Sequence, residues 1–331
     1  MSDTKHYLEI IDRFGDCRVV LYGDLVLDRF VLGTPKRVSR EAPVIILRFE
    51  DQRDVPGGGA NALANLAALG VKATAIAAVG DDEPGSALVA ALNDRGIDTS
   101  RIVTAPGYRT PTKVRILGGG QSSLKHQVAR YDIEDVLPED GQWRSSVREH
   151  LAEEMRTAGA VAISDYGYGC VQTEMLQGLS NESGPPPWLC LDSRYRIGSF
   201  SGIDGATPNL EELEAHCGRR LQNDADVAAG AEELRRDLEA GFLLATRGNH
   251  GMTLVAAESE PSHIPVYGTD EVADVTGAGD TVLAVLTASL AAGAAPPVAA
   301  DLANIAAGLV VMKLGTATVS AAELRAAVKT I

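Results

Sequence analysis

The 331-residue chain reads as an α/β protein with a mostly parallel sheet and a small additional β-layer. Three observations predict this. Short apolar runs of strand length alternate with longer helical patterns along most of the chain. Polar residues recur just past the apolar runs, where open α/β sheets bind their ligands. Two segments, about 30–56 and 108–134, interrupt the alternation with β-type patterns and no helix.

In order, residues 18–22 predict a buried strand. Residues 60–69 predict a helix closed by Gly70 as its C-cap. Residues 73–79 predict the next strand, and 84–95 a helix with Pro84 at its start and Gly96 past its end. Further strands are expected at 160–164, 188–191, 242–246 and 252–256. Further helices are expected at 142–157, 209–217, 226–238, 279–292, 298–312 and 321–328. Residues 181–187 read as a loop. No internal repeat appears, and residues 1–331 are expected to form one domain.

The two interrupting segments hold a β-rich run at 44–49 and an alternating run from 112, which turns at Gly118-Gly119-Gly120 and resumes at Leu124. They predict antiparallel strands outside the main sheet, placed to act as a lid over a site. A dimer contact is the other reading, and the two can coexist. The windows 36–53 and 109–130 hold ten of the thirty Lys and Arg residues. Facing inward, Arg115 and Arg130 would favour an anionic, phosphorylated substrate. Facing outward, such side chains are solvated strand faces.

Thirty basic against 45 acidic residues give a net charge of −15. That argues against nucleic acid and anionic membrane surfaces as partners. Cys17, Cys170, Cys190 and Cys217 form no CxxC pair, so reduced thiols are expected. The first sixteen residues contain no apolar signal core. The most apolar stretch, 282–300, is divided by Gly293, Pro296 and Pro297 before it could span a bilayer. A cytoplasmic location is expected.

The strongest motif is Asp274-Val275-Thr276-Gly277-Ala278-Gly279-Asp280, followed by an almost wholly apolar stretch to Ala292. Free N–H groups at a helix start attract anions. Asp280 in the first turn would stand beside that anion, placed to take a proton from a hydroxyl that attacks a phosphate. An acid in a first turn is also favourable on dipole grounds alone. Gly57-Gly58-Gly59-Ala60-Asn61 makes a second turn into a helix, with Asn61 able to donate and accept. A flexible helix start is the plainer reading. Asp24, Asp165 and Asp192 follow strands, Asn209 and Glu212 open a helix, and Thr246, Gly248 and Gly251 lie between two strands. Such residues also serve ordinary turns. Neither a GxxxxGK[ST] loop nor a GxGxxG after the first strand is present.

Together these segments resemble the ribokinase-like (PfkB) family of carbohydrate kinases over nearly the whole chain. DVTGAGD and PGGGAN match its two signatures, TPNLEEL its Asn-x-x-Glu motif, and ATRGNHGM its nucleotide-site turn. The segments 23–44, 164–169 and 313–320 look most like D-glycero-D-manno-heptose 7-phosphate kinases. Those kinases usually have Lys where Tyr168 stands, and an Asp-Pro-Lys type segment where this chain reads Asp192-Ser193-Arg194-Tyr195-Arg196. With the sequence ending at Ile331, the nucleotidyltransferase domain fused to some relatives is not expected here.

The resemblance implies a three-layer α/β/α fold, transfer of the ATP γ-phosphate to a sugar hydroxyl, and Asp280 as base beside an anion hole of Gly277, Ala278 and Gly279. It implies that Asp24, Asp28, Gly58, Gly59, Asn61, Arg115, Arg130 and Asp165 hold the sugar. Asn209, Glu212, Thr246, Gly248, Gly251 and Asn304 would serve ATP, with Glu212 on Mg²⁺ through water. Asp274, Thr276 and Gly315 would hold a monovalent cation, commonly K⁺. A homodimer through the lid follows by analogy. A kinase for a neutral sugar or nucleoside, and a non-catalytic ligand-binding or regulatory protein, are the competing readings.

Overall fold

The computed structural model describes residues 2–120, 125–139, 141–176, 186–268, 273–313 and 315–331. Leu124, where the lid pattern resumes, and residues 181–185 of the expected loop lie outside the described residues.

The chain opens with α1 (Ser2–Asp12), then β1 (Arg18–Gly23), which passes almost directly into the long strands β2 (Leu25–Val38) and β3 (Ile45–Gly58). Next come α2 (Gly59–Ala68), β4 (Lys72–Gly80), α3 (Glu83–Asn93), β5 (Ile102–Ala105), β6 (Thr112–Gly118) and β7 (His126–Ile133). Then follow α4 (Trp143–Glu154), β8 (Ala160–Asp165), α5 (Thr173–Leu176), β9 (Trp188–Ser193), β10 (Gly205–Ala206), α6 (Leu210–Cys217) and α7 (Asp224–Asp237). The last part holds β11 (Phe242–Thr246), β12 (Met252–Ala256), β13 (Ser262–Ile264), α8 (Ala278–Ala291), α9 (Pro296–Val311) and α10 (Ala321–Val328).

The main sheet runs β13-β12-β11-β10-β9-β8-β1-β4-β5. Pairings from β11 through β5 are parallel, and β12 and β13 add an antiparallel edge. The chain moves from β1 to β4 on one side, then returns to place β8 on the other. The carboxyl ends of β1 and β8 therefore flank the switch point, where open α/β sheets leave a crevice. The strands β1, β4 and β8 are almost wholly buried and read as continuous apolar runs, as strands covered on both faces do. Helix α8 is buried from Asp280 to Leu290 and packs on α9, α2, β8 and β9.

The lid sheet has the order β3-β2-β6-β7. The expectation of antiparallel strands holds for β2 with β3 and for β6 with β7, but β2 and β6 run parallel. The reason is topological: a long excursion through α2, β4, α3 and β5 separates β2 from β6, so no hairpin dictates opposite directions. Period-two alternation and this register put Asp28, Phe30, Lys113, Arg115, Arg130 and Asp132 on one face.

The helix α1 was not legible from its polar composition. Ile10 and Ile11 anchor it in the core, and Tyr7 donates to Asp301 at 2.7 Å. The short strands β5, β10 and β13 also lack a readable pattern. No helix among the described residues is long and apolar enough to cross a membrane.

Candidate active site

Where β1 and β8 end, Asp24 and the segment 166–170 meet. The buried Asp24 carboxylate accepts the N–H groups of Tyr166 (2.9 Å), Tyr168 (3.0 Å) and Cys170 (3.0 Å). Burial, with the negative Asp165 nearby, still pushes its carboxyl up to about 6. Asp24 thus fastens the loop behind the site, whereas the sequence placed it on the sugar. Asp24→Ala should strand three buried N–H groups and lower the unfolding free energy by at least ~3 kcal/mol. Urea denaturation measures this. Unchanged stability with a selective loss of sugar binding would return Asp24 to the substrate.

A cavity of about 500 Å³ opens in front of this loop. Its walls bring together Asp28, Gly58, Arg115, Arg130, Asp165, Asn209, Glu212, Thr246, Thr276, Gly277, Gly279 and Asp280 from the sequence-derived set. Lys113, Tyr166, Asp192, Arg194, Thr207, Val275 and Thr316 complete it. Gly59 stands behind the wall, against the Asp24 carbonyl.

Asp280 is the third residue of α8, whose N-cap is Gly277. Its two oxygens are held separately. Asn61 Nδ2 donates to Oδ2 at 2.9 Å, and the Tyr166 hydroxyl donates to Oδ1 at 2.8 Å. Burial raises the Asp280 carboxyl from its ordinary value to about 6, against the lowering effect of those two donors. Gly277 is required twice over. Its φ is +82°, and a Cβ there would come within 2.4 Å of Asn61 Nδ2. The expected anion hole is narrower than the motif suggested. The Ala278 N–H turns back to the Val275 carbonyl at 3.2 Å. The N–H groups of Gly279 and Asp280 have no acceptor among the described residues.

The lid face supplies positive charge. Arg115 pairs with buried Asp28 at 2.5 Å, and Arg130 forms a two-point pair with Asp132 at 2.8 and 2.6 Å. Lys113 and Arg194 differ from these. Among the described residues neither makes an ion pair, and both line the cavity. Burial, and the positive charges of Arg130 and Arg194, lower the Lys113 ammonium despite the opposing Asp28. The other lid cations face elsewhere: Arg109 pairs with Asp135, Lys125 with Glu50 and Arg53 with Asp51.

Asp165 accepts Arg196 in a two-point pair at 3.0 Å and the Ser193 hydroxyl at 2.7 Å, so its carboxylate is largely spent on the wall. Of the two departures from the heptose kinase pattern, Tyr168 turns to Glu134 at 2.9 Å and lies outside the cavity lining, whereas Arg194 stands in it.

On the opposite side, Asn209 and Glu212 form a reciprocal cap at the start of α6. Both Glu212 oxygens accept from Asn209, at 2.9 and 2.6 Å. Burial pushes Glu212 above its ordinary range, and pushes Asp192 well above it, with Glu212 and Asp280 adding to the latter. Asp192 accepts no hydrogen bond among the described residues. No three carboxylate, histidine or cysteine side chains converge on a metal-sized point among the described residues. Glu212 and Asp192 are the carboxylates on this side of the cavity.

An apolar cavity of about 190 Å³ adjoins the first through Thr246, Val275 and Gly279. It contains Gly248, Gly251 and Asn304, with Met252, Tyr267, Val282 and Val311. The Asn304 amide donates to the Pro265 carbonyl at 2.8 Å, bracing that wall. Asp274 accepts the N–H groups of Thr276 at 2.9 Å and Gly315 at 3.1 Å, linking the turn before α8 to the segment after α9.

In the sequence Lys113 is marked only as one of the lid cations and Arg194 only as a departure near the site, and Tyr166 is missed. A usable signal exists, since Tyr166 follows the strand-end acid Asp165. An acid at a helix start beside two adjoining cavities at a parallel-sheet switch point is an arrangement suited to phosphoryl transfer.

The comparisons agree. The family described as pfkB family carbohydrate kinase matches residues 18–139 and 193–323, and the chain belongs to that family. It is 39% identical over 317 residues to the bifunctional protein HldE of Pseudomonas paraeruginosa, and 40% over 319 residues to that of Azotobacter vinelandii. Each alignment covers 96% of this chain and 65% of the relative, so the chain spans about two-thirds of their length. Escherichia coli phosphofructokinase-2, in complex with substrates and products, superposes with a TM-score of 0.75 at 21% identity, covering 95% of this chain and 99% of that one. Arabidopsis thaliana ribokinase with ribose and ATP gives 0.69 at 18%, covering 95% and 98%. These two likenesses concern the fold.

Proposed function

We propose that the chain transfers the γ-phosphate of ATP to a hydroxyl of a sugar that already carries a phosphate, a heptose 7-phosphate. The observation that carries this reading is the pair Lys113 and Arg194, cations in the cavity wall that make no direct ion pair among the described residues. A neutral sugar would leave both without an ion pair, whereas a phosphate supplies one. The resemblance of segments 23–44 and 164–169 to heptose 7-phosphate kinases supports the same choice.

Asp280 receives the acceptor's hydroxyl and takes its proton late, since phosphoryl transfer passes through a loose transition state. Position matters more than basicity, although a carboxyl near pH 6 is a stronger base than an exposed one. The N–H groups of Gly279 and Asp280 steady charge on the transferring oxygens. Thr246, Gly248, Gly251 and Asn304 border the apolar cavity that suits the nucleoside. Asn209 and Glu212, spent on each other, would hold Mg²⁺ through its waters, with Asp192 facing them. Bound there, the ion would neutralise phosphate charge. Asp274, Thr276 and Gly315 form the segment proposed for K⁺. The exposed apolar side chains Val38, Ile45, Phe49, Val128 and Tyr131 of the lid support a homodimer through that sheet.

The test is ADP release across a panel of neutral sugars, nucleosides and sugar phosphates, with thermal shifts in parallel. Turnover only with a phosphosugar is expected. Turnover with neutral sugars or nucleosides would overturn the substrate class, and binding without turnover would support a non-catalytic role.

A further inference from the structure

We infer that Tyr166 is a positioning residue of the transfer, holding the Asp280 carboxylate in the plane from which it meets the acceptor hydroxyl. The inference rests on Asp280 as the base. Four observations support it. The Tyr166 hydroxyl donates to Asp280 Oδ1 at 2.8 Å, and its side chain lines the cavity, so the contact is part of the site. Asn61 occupies the other oxygen at 2.9 Å, so the two donors together fix the carboxylate's rotation. The Tyr166 backbone is tied to Asp24 at 2.9 Å, which sets where the phenol starts. The ring lies under a cation and close to a glycine. Lys113 Nζ sits 5.4 Å from its centroid, and Gly58 leaves it room that a Cβ, at 3.3 Å, would crowd. A cation over the ring is attracted to its face.

The groups facing Asp280 are Asn61 from α2, Tyr166 after β8, Asp28 from β2, Lys113 from β6 and Asp192 from β9. Tyr166 and Asn61 favour the ionised base by hydrogen bonding, and Lys113 favours it by charge. Asp28 and burial oppose it. Loss of the phenol removes a donor to the charged form only, so the base should protonate at higher pH.

The experiment is the pH profile of kcat/KM for Tyr166→Phe, with ATP and phosphosugar KM values and Tm measured alongside. The acid limb should move up by about one pH unit. At pH 8 kcat should fall about 10- to 100-fold with the ATP KM unchanged. An unmoved acid limb overturns the inference, as does an equal loss at every pH accompanied by a lower Tm, which describes a packing role. Asp280→Asn separates the two claims. Turnover retained in that variant overturns the base assignment and this inference together. An inactive Asp280→Asn with an unmoved limb in Tyr166→Phe overturns Tyr166 alone.

Discussion

Asp280→Asn should reduce kcat by about 10²- to 10⁴-fold while ATP still binds, and the inactive protein should be the more stable one. The amide keeps the shape, and Asn61 Nδ2 can still donate to its oxygen. It cannot take a proton. The stability gain follows from the sign of the Asp280 shift. Its carboxyl titrates at about 6 in the folded chain against an ordinary value of 3.8. Between these two values the native state holds more protons than the unfolded state, so stability falls as pH rises through that window. Above it the ionised, buried Asp280 carries the full cost, on the order of 1–3 kcal/mol. The neutral amide removes that cost. Calorimetry at pH 8 checks it, and kcat/KM of the parent should fall below pH ~6 as the base protonates. A variant with ordinary turnover, or one inactive and less stable, would contradict the account.

Lys113→Met should raise the KM for a phosphorylated acceptor by about 10- to 100-fold and leave the KM for ATP near its parent value. Arg130→Ala should do far less. The Arg130 guanidinium is already committed to Asp132 by two bonds, and its side chain is 40% exposed. Arg115→Ala falls between these and adds a loss of stability, since it leaves the buried Asp28 without its partner. The order Lys113, Arg115, Arg130 is the informative result, read from initial rates with the two substrates varied in turn. Equal rises for both substrates would place Lys113 on the nucleotide instead, and an effect of Arg130 exceeding that of Lys113 would reverse the argument from ion pairing.

The main strands were legible because each is an apolar run bounded by turn residues, and the short helices α6 and α10 because their caps are explicit. Asn209 with Glu212 and Ser320 with Glu323 form reciprocal caps. The helix α1 was not legible because its buried side chains are few among many charges. The direction of β6 against β2 was not legible because pairing direction depends on the intervening path and not on local pattern. In the site, residues with distinctive backbone neighbours were found: Asp280, Gly277, Asn61 and Asn209. Asp24 shows the limit. A strand-end aspartate looks the same in sequence whether it faces a ligand or three N–H groups. Lys113 shows the converse, since its place in the cavity wall without a direct ion pair among the described residues is disclosed only in three dimensions.

The contact between Gly277 and Asn61 has a bearing on substitution at either residue. The two residues lie 216 positions apart, each inside a separate glycine signature. Any side chain at 277 would displace the amide that holds Asp280, and a displaced amide would loosen the acid whatever residue stood at 277. A substitution in one signature should therefore be felt in the other, so the two short motifs amount to a single structural unit written in two places.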